Sequence, residues 1–319
     1  MDSTAFRAAL DASEVIVLDG GLATQLEAQG ADLTDALWSA RLLSDAPEEI
    51  VAAHVAYYRA GARVATTASY QATFEGFARR GIAHDDAAAL MRRSVELAAD
   101  ARAMVVGERA ATDPVPLFVA ASIGPYGALL ADGAEYRGRY GRSAAELRAF
   151  HRERLAVLAS TAADVLAVET IPELEEAVAV AGLLTETEGA AAWISFTCGD
   201  GARLRSGGPI EEAVAAVDGT PGLLAIGVNC TAPEHIDELV GRIATTTDLP
   251  IVVYPNSGEG WDAAHRTWTG ATAGRVDAAA GNRWLAAGAR LIGGCCRVTP
   301  DQVRALASGL PPGAIARSW

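Results

Sequence analysis

Apolar residues along the chain gather into eight runs bounded by Gly, Pro or Asn, and each run is followed by a segment whose apolar positions recur at helical spacing. The runs are Val15 to Gly21, Arg63 to Tyr70, Pro116 to Gly124, Val165 to Pro172, Ala191 to Cys198, Leu223 to Cys230, Ile251 to Ser257 and Ala289 to Cys296. Cores such as VIVLD, LFVAA, VLAVE, LLAIGV and IVVY are continuously apolar, the pattern of parallel strands covered on both faces. Ile50, Val51, His54, Val55 and Tyr58, and later Leu90, Val95, Leu97 and Ala98, mark helix faces near the 3.6-residue period. Eight such units predict an α/β fold, the TIM (β/α)8 barrel, which takes about 250 residues. The excess is expected in long loops such as Tyr126 to Ser143 and Ser257 to Arg275. A doubly wound sheet is the competing arrangement, but no GxGxxG follows the first run. No Pro-, Gly- or Ser-rich linker and no short-period repeat divides the chain, so residues 1–319 are expected to form one barrel domain.

Composition narrows the chemistry. Net charge is −14 and basic residues are scattered, so a polyanion such as nucleic acid is an unfavourable partner. All 26 basic residues are arginine, which excludes lysine Schiff-base aldolases, lysine-anchored pyridoxal-phosphate enzymes and P-loop NTPases. No GxSxG element supports a serine hydrolase. His54, His84, His151, His235 and His265 show no metal-ligand spacing and read as structural. No run reaches the 18 or so apolar residues of a membrane span, and the N-terminus lacks the pattern of a signal peptide, so a cytoplasmic location is expected. The four cysteines then read as thiols, not as a disulfide framework.

In a barrel of this kind the chemistry sits at the carboxyl ends of the strands. Cys230 ends the sixth run, and Cys295 and Cys296 end the eighth, after the flexible pair Gly293 and Gly294. Three thiolates from two strand ends can fill three corners of a tetrahedron around Zn²⁺ and leave the fourth for a ligand. A set of three thiolates is soft, so a sulfur ligand suits that open corner, and the substrate is expected to be a thiol held as thiolate. Cys198, which ends the fifth run alone, reads as a buried apolar residue.

The combination of LDGGLATQLE from Leu18, GVNC ending at Cys230 and GGCCR from Gly293 resembles the zinc-dependent homocysteine S-methyltransferases. The likeness runs over nearly the whole chain and is closest to the S-methylmethionine-dependent branch, through ALWSA at Ala36, ASYQAT at Ala68, SIGPYGALLADGAEYRG at Ser122, VYPNSGE at Val253 and GARLIGGCCR at Gly288. The resemblance implies that Cys230, Cys295 and Cys296 are the zinc ligands, with homocysteine sulfur as the fourth. It implies that Asp19 and Glu169 hold the homocysteine ammonium, which two carboxylates do well through charge-assisted hydrogen bonds. N–H groups around Gly20 and Gly21, at the entry to a helix, suit the substrate carboxylate. Asn256 and Tyr70 match positions that in relatives offer the metal an oxygen before the thiol arrives.

The donor must carry an activated methyl, and a sulfonium or quaternary ammonium sits well over aromatic faces. Trp38, Tyr70, Tyr126, Tyr136 and Tyr140 lie in expected loops or strand ends, with Trp38 and Tyr70 placed best by the resemblance. The expected reaction is methyl transfer from S-methylmethionine, or less efficiently S-adenosylmethionine, to homocysteine. The chain ends soon after the eighth unit, so neither cobalamin and folate domains nor the extension of betaine-dependent relatives is expected. The alternatives are a non-catalytic zinc- or thiol-binding barrel, and a related enzyme with another thiol acceptor or with betaine as donor.

Overall fold

The computed structural model describes residues 1–12, 15–31, 39–108, 115–262, 267–269 and 275–311. The strands in chain order are β1 (Ile16–Val17), β2 (Val64–Thr66), β3 (Phe118–Ile123), β4 (Val165–Ile171), β5 (Ala192–Phe196), β6 (Leu223–Asn229), β7 (Ile251–Tyr254), the short β8 (Gly260–Asp262) and β9 (Thr267–Thr269), and β10 (Ala289–Ile292). Eight of them form one parallel sheet in the order β1-β10-β7-β6-β5-β4-β3-β2. A parallel bridge from Leu18 to Val64 brings the ends of that order together, and the Arg63 N–H donates to the Val17 carbonyl at 2.7 Å. The expected TIM barrel is therefore present, with every expected run contributing one strand.

Helices such as Pro47–Arg59, His84–Glu108, Ala144–Ala159 and Leu174–Glu186 follow the strands and cover them. Their apolar faces and the outward strand residues, among them Ile50, Tyr57, Leu97, Val119, Val168 and Ile194, share one buried layer. Two of the later helix starts are fixed by reciprocal caps, Ser143 with Glu146 and Thr299 with Gln302, which satisfy N–H groups the helix itself leaves unpaired. Inward strand residues build a second, separate cluster along the barrel axis. There Phe6, from the first helix Thr4–Asp11, closes the amino-terminal end of the barrel. Its ring lies 5.2 Å from Phe118, edge to face, and 6.3 Å from Trp193. Trp193 in turn donates through Nε1 to the Tyr254 hydroxyl at 3.0 Å, at the level where apolar filling gives way to polar side chains. Gly227 is needed in that interior, because a Cβ there would sit 1.8 Å from the Val252 carbonyl oxygen.

Both expected long loops carry structure of their own. Tyr126 to Ser143 contains a short helix, Tyr126–Leu130, and a single 3₁₀ turn, Ala134–Tyr136. The segment after Ser257 contains the antiparallel pair β8 and β9. Replacing Phe6 with alanine is expected to open a cavity at the closed end and cost about 3–5 kcal/mol of stability. Urea denaturation of Phe6→Ala measures this; a loss under about 1 kcal/mol would mean the first helix does not seal the barrel.

Candidate metal centre and active site

Strands β6 and β10 are separated in the sheet by β7 alone, and their carboxyl ends deliver the three sulfurs. Cys230 follows Asn229 with φ at +45°, a left-handed conformation that turns its side chain off the strand direction. Its N–H donates to the Tyr254 carbonyl at 3.2 Å, and the Cys295 N–H donates to the Pro255 carbonyl at 2.7 Å, so β7 ties both cysteine segments. The Cys296 sulfur lies 3.9 Å from that of Cys230 and 4.0 Å from that of Cys295. All three sulfurs fall within 4.8 Å of one another and could hold a metal ion; among the described residues they are the one such His, Cys, Asp or Glu group. Cys230 and Cys295, with Cα atoms 5.7 Å apart, are close enough to pair as a disulfide, so the structure adds an oxidised alternative to the expected thiols. The cause is the convergence itself, which brings sulfurs from two strand ends to bonding reach. Cys198 and Cys296 remain free. Cys198 is buried away from this cluster, and burial raises its thiol pKa, in agreement with a packing role. Burial also pushes the Cys296 thiol up to about 12, despite a Tyr136 hydroxyl that faces it and favours the thiolate.

Two buried carboxylates stand at the same mouth. Asp19, just past β1, accepts from the Thr66 N–H at 2.6 Å and from the Thr66 hydroxyl at 3.0 Å. Glu169, on β4, accepts from the Ser122 hydroxyl and has the Tyr254 hydroxyl beside it. Burial pushes Asp19 up to about 8 and Glu169 to about 7, and the Glu169 charge adds to the shift of Asp19. The supporting roles of Thr66, Ser122 and Tyr254 are not read from the sequence: Thr66 is an ordinary strand position there, and Ser122 and Tyr254 enter only as members of the quoted motifs. Asn229 is equally silent there: its Oδ1 accepts from the Thr170 N–H at 2.7 Å and the Ser195 hydroxyl at 2.9 Å, while Nδ2 donates to the Thr170 hydroxyl at 2.8 Å. It thereby locks the backbone next to both Glu169 and Cys230, and Thr170 itself holds φ at +61°.

Gly20 and Gly21 are dictated by close approach. A Cβ at Gly20 would lie 2.4 Å from the Val298 carbonyl oxygen, and one at Gly21 would lie 2.9 Å from the Cys295 carbonyl oxygen. The Gly21 N–H itself donates to the Val298 carbonyl at 3.0 Å. Asn256 is buried in the turn after β7, where its Oδ1 accepts from the Gly258 N–H at 2.9 Å; the neighbouring Ser257 N–H donates to the Cys296 carbonyl at 3.2 Å. Tyr70 and Tyr136 both lie close enough to Cys296 for its charge to raise their phenols, so the structure brings these two aromatics to the sulfurs. Tyr126 instead packs edge to face on Phe150 at 5.0 Å and lies under the Arg142 guanidinium at 5.4 Å, on the helix side of the segment. Tyr140 contacts the Tyr126 ring at 5.4 Å. Trp38 lies outside the described residues.

Because Asp19 and Glu169 titrate higher when folded than when unfolded, the folded chain holds protons that the unfolded chain releases between about pH 4 and pH 8. Their contribution to stability is complete below that window and is lost as pH rises through it. Asp19→Asn can keep both contacts, its oxygen accepting from the Thr66 N–H and its amide donating to the Thr66 hydroxyl. The metal-free variant is expected to gain on the wild type as pH rises from about 5 to about 8, ending at least about 1.4 kcal/mol more stable, the equivalent of one pKa unit. Urea unfolding at the two pH values checks this; a gap that shrinks with pH would contradict the charge assignment.

Comparison with known proteins agrees with this architecture. Residues 16–310 match the family model described as homocysteine S-methyltransferase. The homocysteine S-methyltransferase YbgG of Bacillus subtilis (strain 168) is 47% identical over 301 residues, covering 94% of this chain and 95% of that one. The homocysteine S-methyltransferase of Escherichia coli (strain K12) is 48% identical over 303 residues, covering 94% and 96%. The crystal structure of the homocysteine methyltransferase MmuM from Escherichia coli in its metallated form superposes with a TM-score of 0.85 at 46% identity, over 95% of this chain and 99% of that one. With a family model spanning the whole barrel and relatives of near-equal length, this chain belongs to the homocysteine S-methyltransferase family.

Proposed function

We propose that the protein methylates homocysteine to methionine from a sulfonium donor, S-methylmethionine in preference to S-adenosylmethionine, with zinc held by Cys230, Cys295 and Cys296. The observation that carries this reading is the meeting of three sulfurs and two buried carboxylates at one barrel mouth. A metal–sulfur distance of about 2.3 Å in a tetrahedron separates sulfurs by about 3.8 Å; Cys296 meets this with both neighbours, at 3.9 and 4.0 Å, while Cys230 and Cys295 have to move apart from their paired position to bind the ion. The Cys230–Cys295 bond and zinc are alternatives, since the disulfide removes two of the three thiolates. A cytoplasmic location, where thiols are kept reduced, fits the reading. Among the described residues no helix is long and apolar enough to cross a membrane.

Zinc, when bound, supplies the Lewis acidity that keeps the homocysteine sulfur as a thiolate near neutral pH. The chain's own residues then have to place two substrates. Asp19 and Glu169 bind the homocysteine ammonium, and the ligand's charge offsets the penalty of ionising two buried carboxyls. Thr66 and Ser122 hold those carboxylates in place. Asn256, Gly20 and Tyr70 border the same space, and the aromatic faces of Tyr70, Tyr136 and Trp38 suit a sulfonium. The step is an in-line displacement: the homocysteine sulfur bonds the methyl carbon as the donor C–S bond breaks, and the electron pair leaves on the donor sulfur. No proton moves in it, so alignment is the main catalytic task. A sulfonium and a thiolate neutralise each other in this step, which a buried site favours, whereas the methyl of a neutral folate leaves from nitrogen and needs protonation or a cobalamin relay.

Asp19→Asn and Glu169→Gln are each expected to weaken homocysteine roughly ten- to a hundredfold, from the loss of about 1.5 to 3 kcal/mol in a charge-assisted hydrogen bond, with bound zinc unchanged. Titration of homocysteine against zinc-loaded variants measures this, and unchanged affinity in both removes the carboxylates from the site. The function itself is tested by methionine formation from homocysteine with each donor at equal concentration, with zinc and without cobalamin. Turnover is expected in the order S-methylmethionine, then S-adenosylmethionine, with none from methyltetrahydrofolate; betaine or methylfolate ahead of both sulfonium donors would overturn the donor assignment.

A further inference from the structure

A third carboxylate, that of Glu135, is buried in the segment after β3. Glu135 is 5% exposed, and its Oε2 has no hydrogen-bond partner among the described residues. It sits in the 3₁₀ turn Ala134–Tyr136, whose position is set by tight packing: a Cβ at Gly127 would lie 2.5 Å from the Glu135 nitrogen. The segment is clamped at both ends by carboxylates of the chain after β4. Glu176 accepts from the Tyr126 N–H at 2.5 Å, and Glu173 accepts from the Arg139 N–H. The cation two residues on, Arg137, makes its ion pair with Asp132 at 3.1 Å and reaches Glu135 only as a weaker, through-space charge, which Asp132 offsets. Glu135 immediately precedes Tyr136 in this turn, and the Tyr136 hydroxyl faces the Cys296 sulfur, so the turn brings the carboxylate to the side of the sulfur cluster. A buried acid with an unpaired oxygen is costly unless a cation meets it.

We propose that Glu135 receives the α-ammonium of the methyl donor, so that the donor taken is a sulfonium amino acid and its far end, as well as its sulfur, is recognised. This rests on the reading of the site as a sulfonium-dependent homocysteine methyltransferase. Asp19 and Glu169 answer the ammonium of homocysteine; the donor brings a second ammonium, and Glu135 is the carboxylate left to meet it. The donor sulfonium is a poorer match, because it loses its charge as the methyl leaves, and a carboxylate against it would stabilise the ground state more than the transition state. An ammonium keeps its charge throughout, so its partner contributes equally to ground and transition states and governs KM, leaving kcat alone.

The test is steady-state kinetics of zinc-loaded wild type and Glu135→Gln with S-methylmethionine and homocysteine varied in turn. The expected result is a donor KM raised about tenfold or more, with kcat and the homocysteine KM within about twofold of wild type. An unchanged donor KM, or donor and homocysteine KM rising together, overturns the assignment while methionine formation by the wild type still stands. Failure of the wild type to use any sulfonium donor instead removes the underlying reading. If Glu135→Gln does not fold, the wild type decides through inhibition by 4-(dimethylsulfonio)butanoate, the same donor chain without its ammonium. Binding at least about tenfold weaker than S-methylmethionine is expected, and equal binding overturns the proposal.

Discussion

The structure depends on one constraint: anionic groups are gathered where water is scarce. Three sulfurs and the carboxylates of Asp19, Glu169 and Glu135 share the carboxyl end of a barrel whose interior below them is apolar. Burial is the largest force against ionising Cys296, Asp19 and the two glutamates, raising Cys296 to about 12, Asp19 to about 8 and the glutamates to about 7. Such a site is least stable when empty of cations and fully ionised. On the proposed reading, a metal ion among the sulfurs and ammonium groups on the carboxylates supply the compensating charge. A chain with net charge −14 adds a background field of the same sign.

Holding like charges together takes a frame that cannot relax, and the barrel provides it. The Leu18–Val64 bridge closes the sheet, Phe6 seals one end, and Trp193 carries the packing up to Tyr254, whose hydroxyl borders Glu169. Around the mouth three of these groups have fixed neighbours: Thr66 for Asp19, Ser122 for Glu169, and Asn229 for the turn that leads into Cys230. The glycines at 20 and 21 let the Cys295–Val298 segment pass directly against the turn that carries Asp19. The cysteine segment and the turn that carries Asp19 are thus parts of one packed surface.

Much of this is legible in the amino-acid sequence. Continuous apolar runs mark strands buried on both faces, so all eight barrel strands and their order along the chain can be read, although every strand is shorter than its run, β1 and β2 most of all. Cysteines at the ends of two runs place the sulfur cluster, and DGG and VET place the two carboxylates. What escapes is what periodicity does not encode. Thr66, Ser122 and Asn229 act through hydrogen bonds across strands far apart in sequence, and alone each is an ordinary polar residue. Tyr126 looks like a loop aromatic but faces Phe150, and only tertiary packing distinguishes it from Tyr136. Glu135 reads as a loop charge until the Gly127 contact buries it. The Cys230–Cys295 bond depends on a separation of 65 residues being closed by the fold.

The central claim, that three chain sulfurs bind zinc and leave the fourth position to the substrate thiol, is tested most directly by X-ray absorption at the zinc edge of the reduced, zinc-loaded protein. The account predicts three sulfurs at about 2.3 Å and one lighter atom without substrate, changing to four sulfurs when homocysteine is added. A shell dominated by nitrogen and oxygen, or one that does not change with homocysteine, would contradict it.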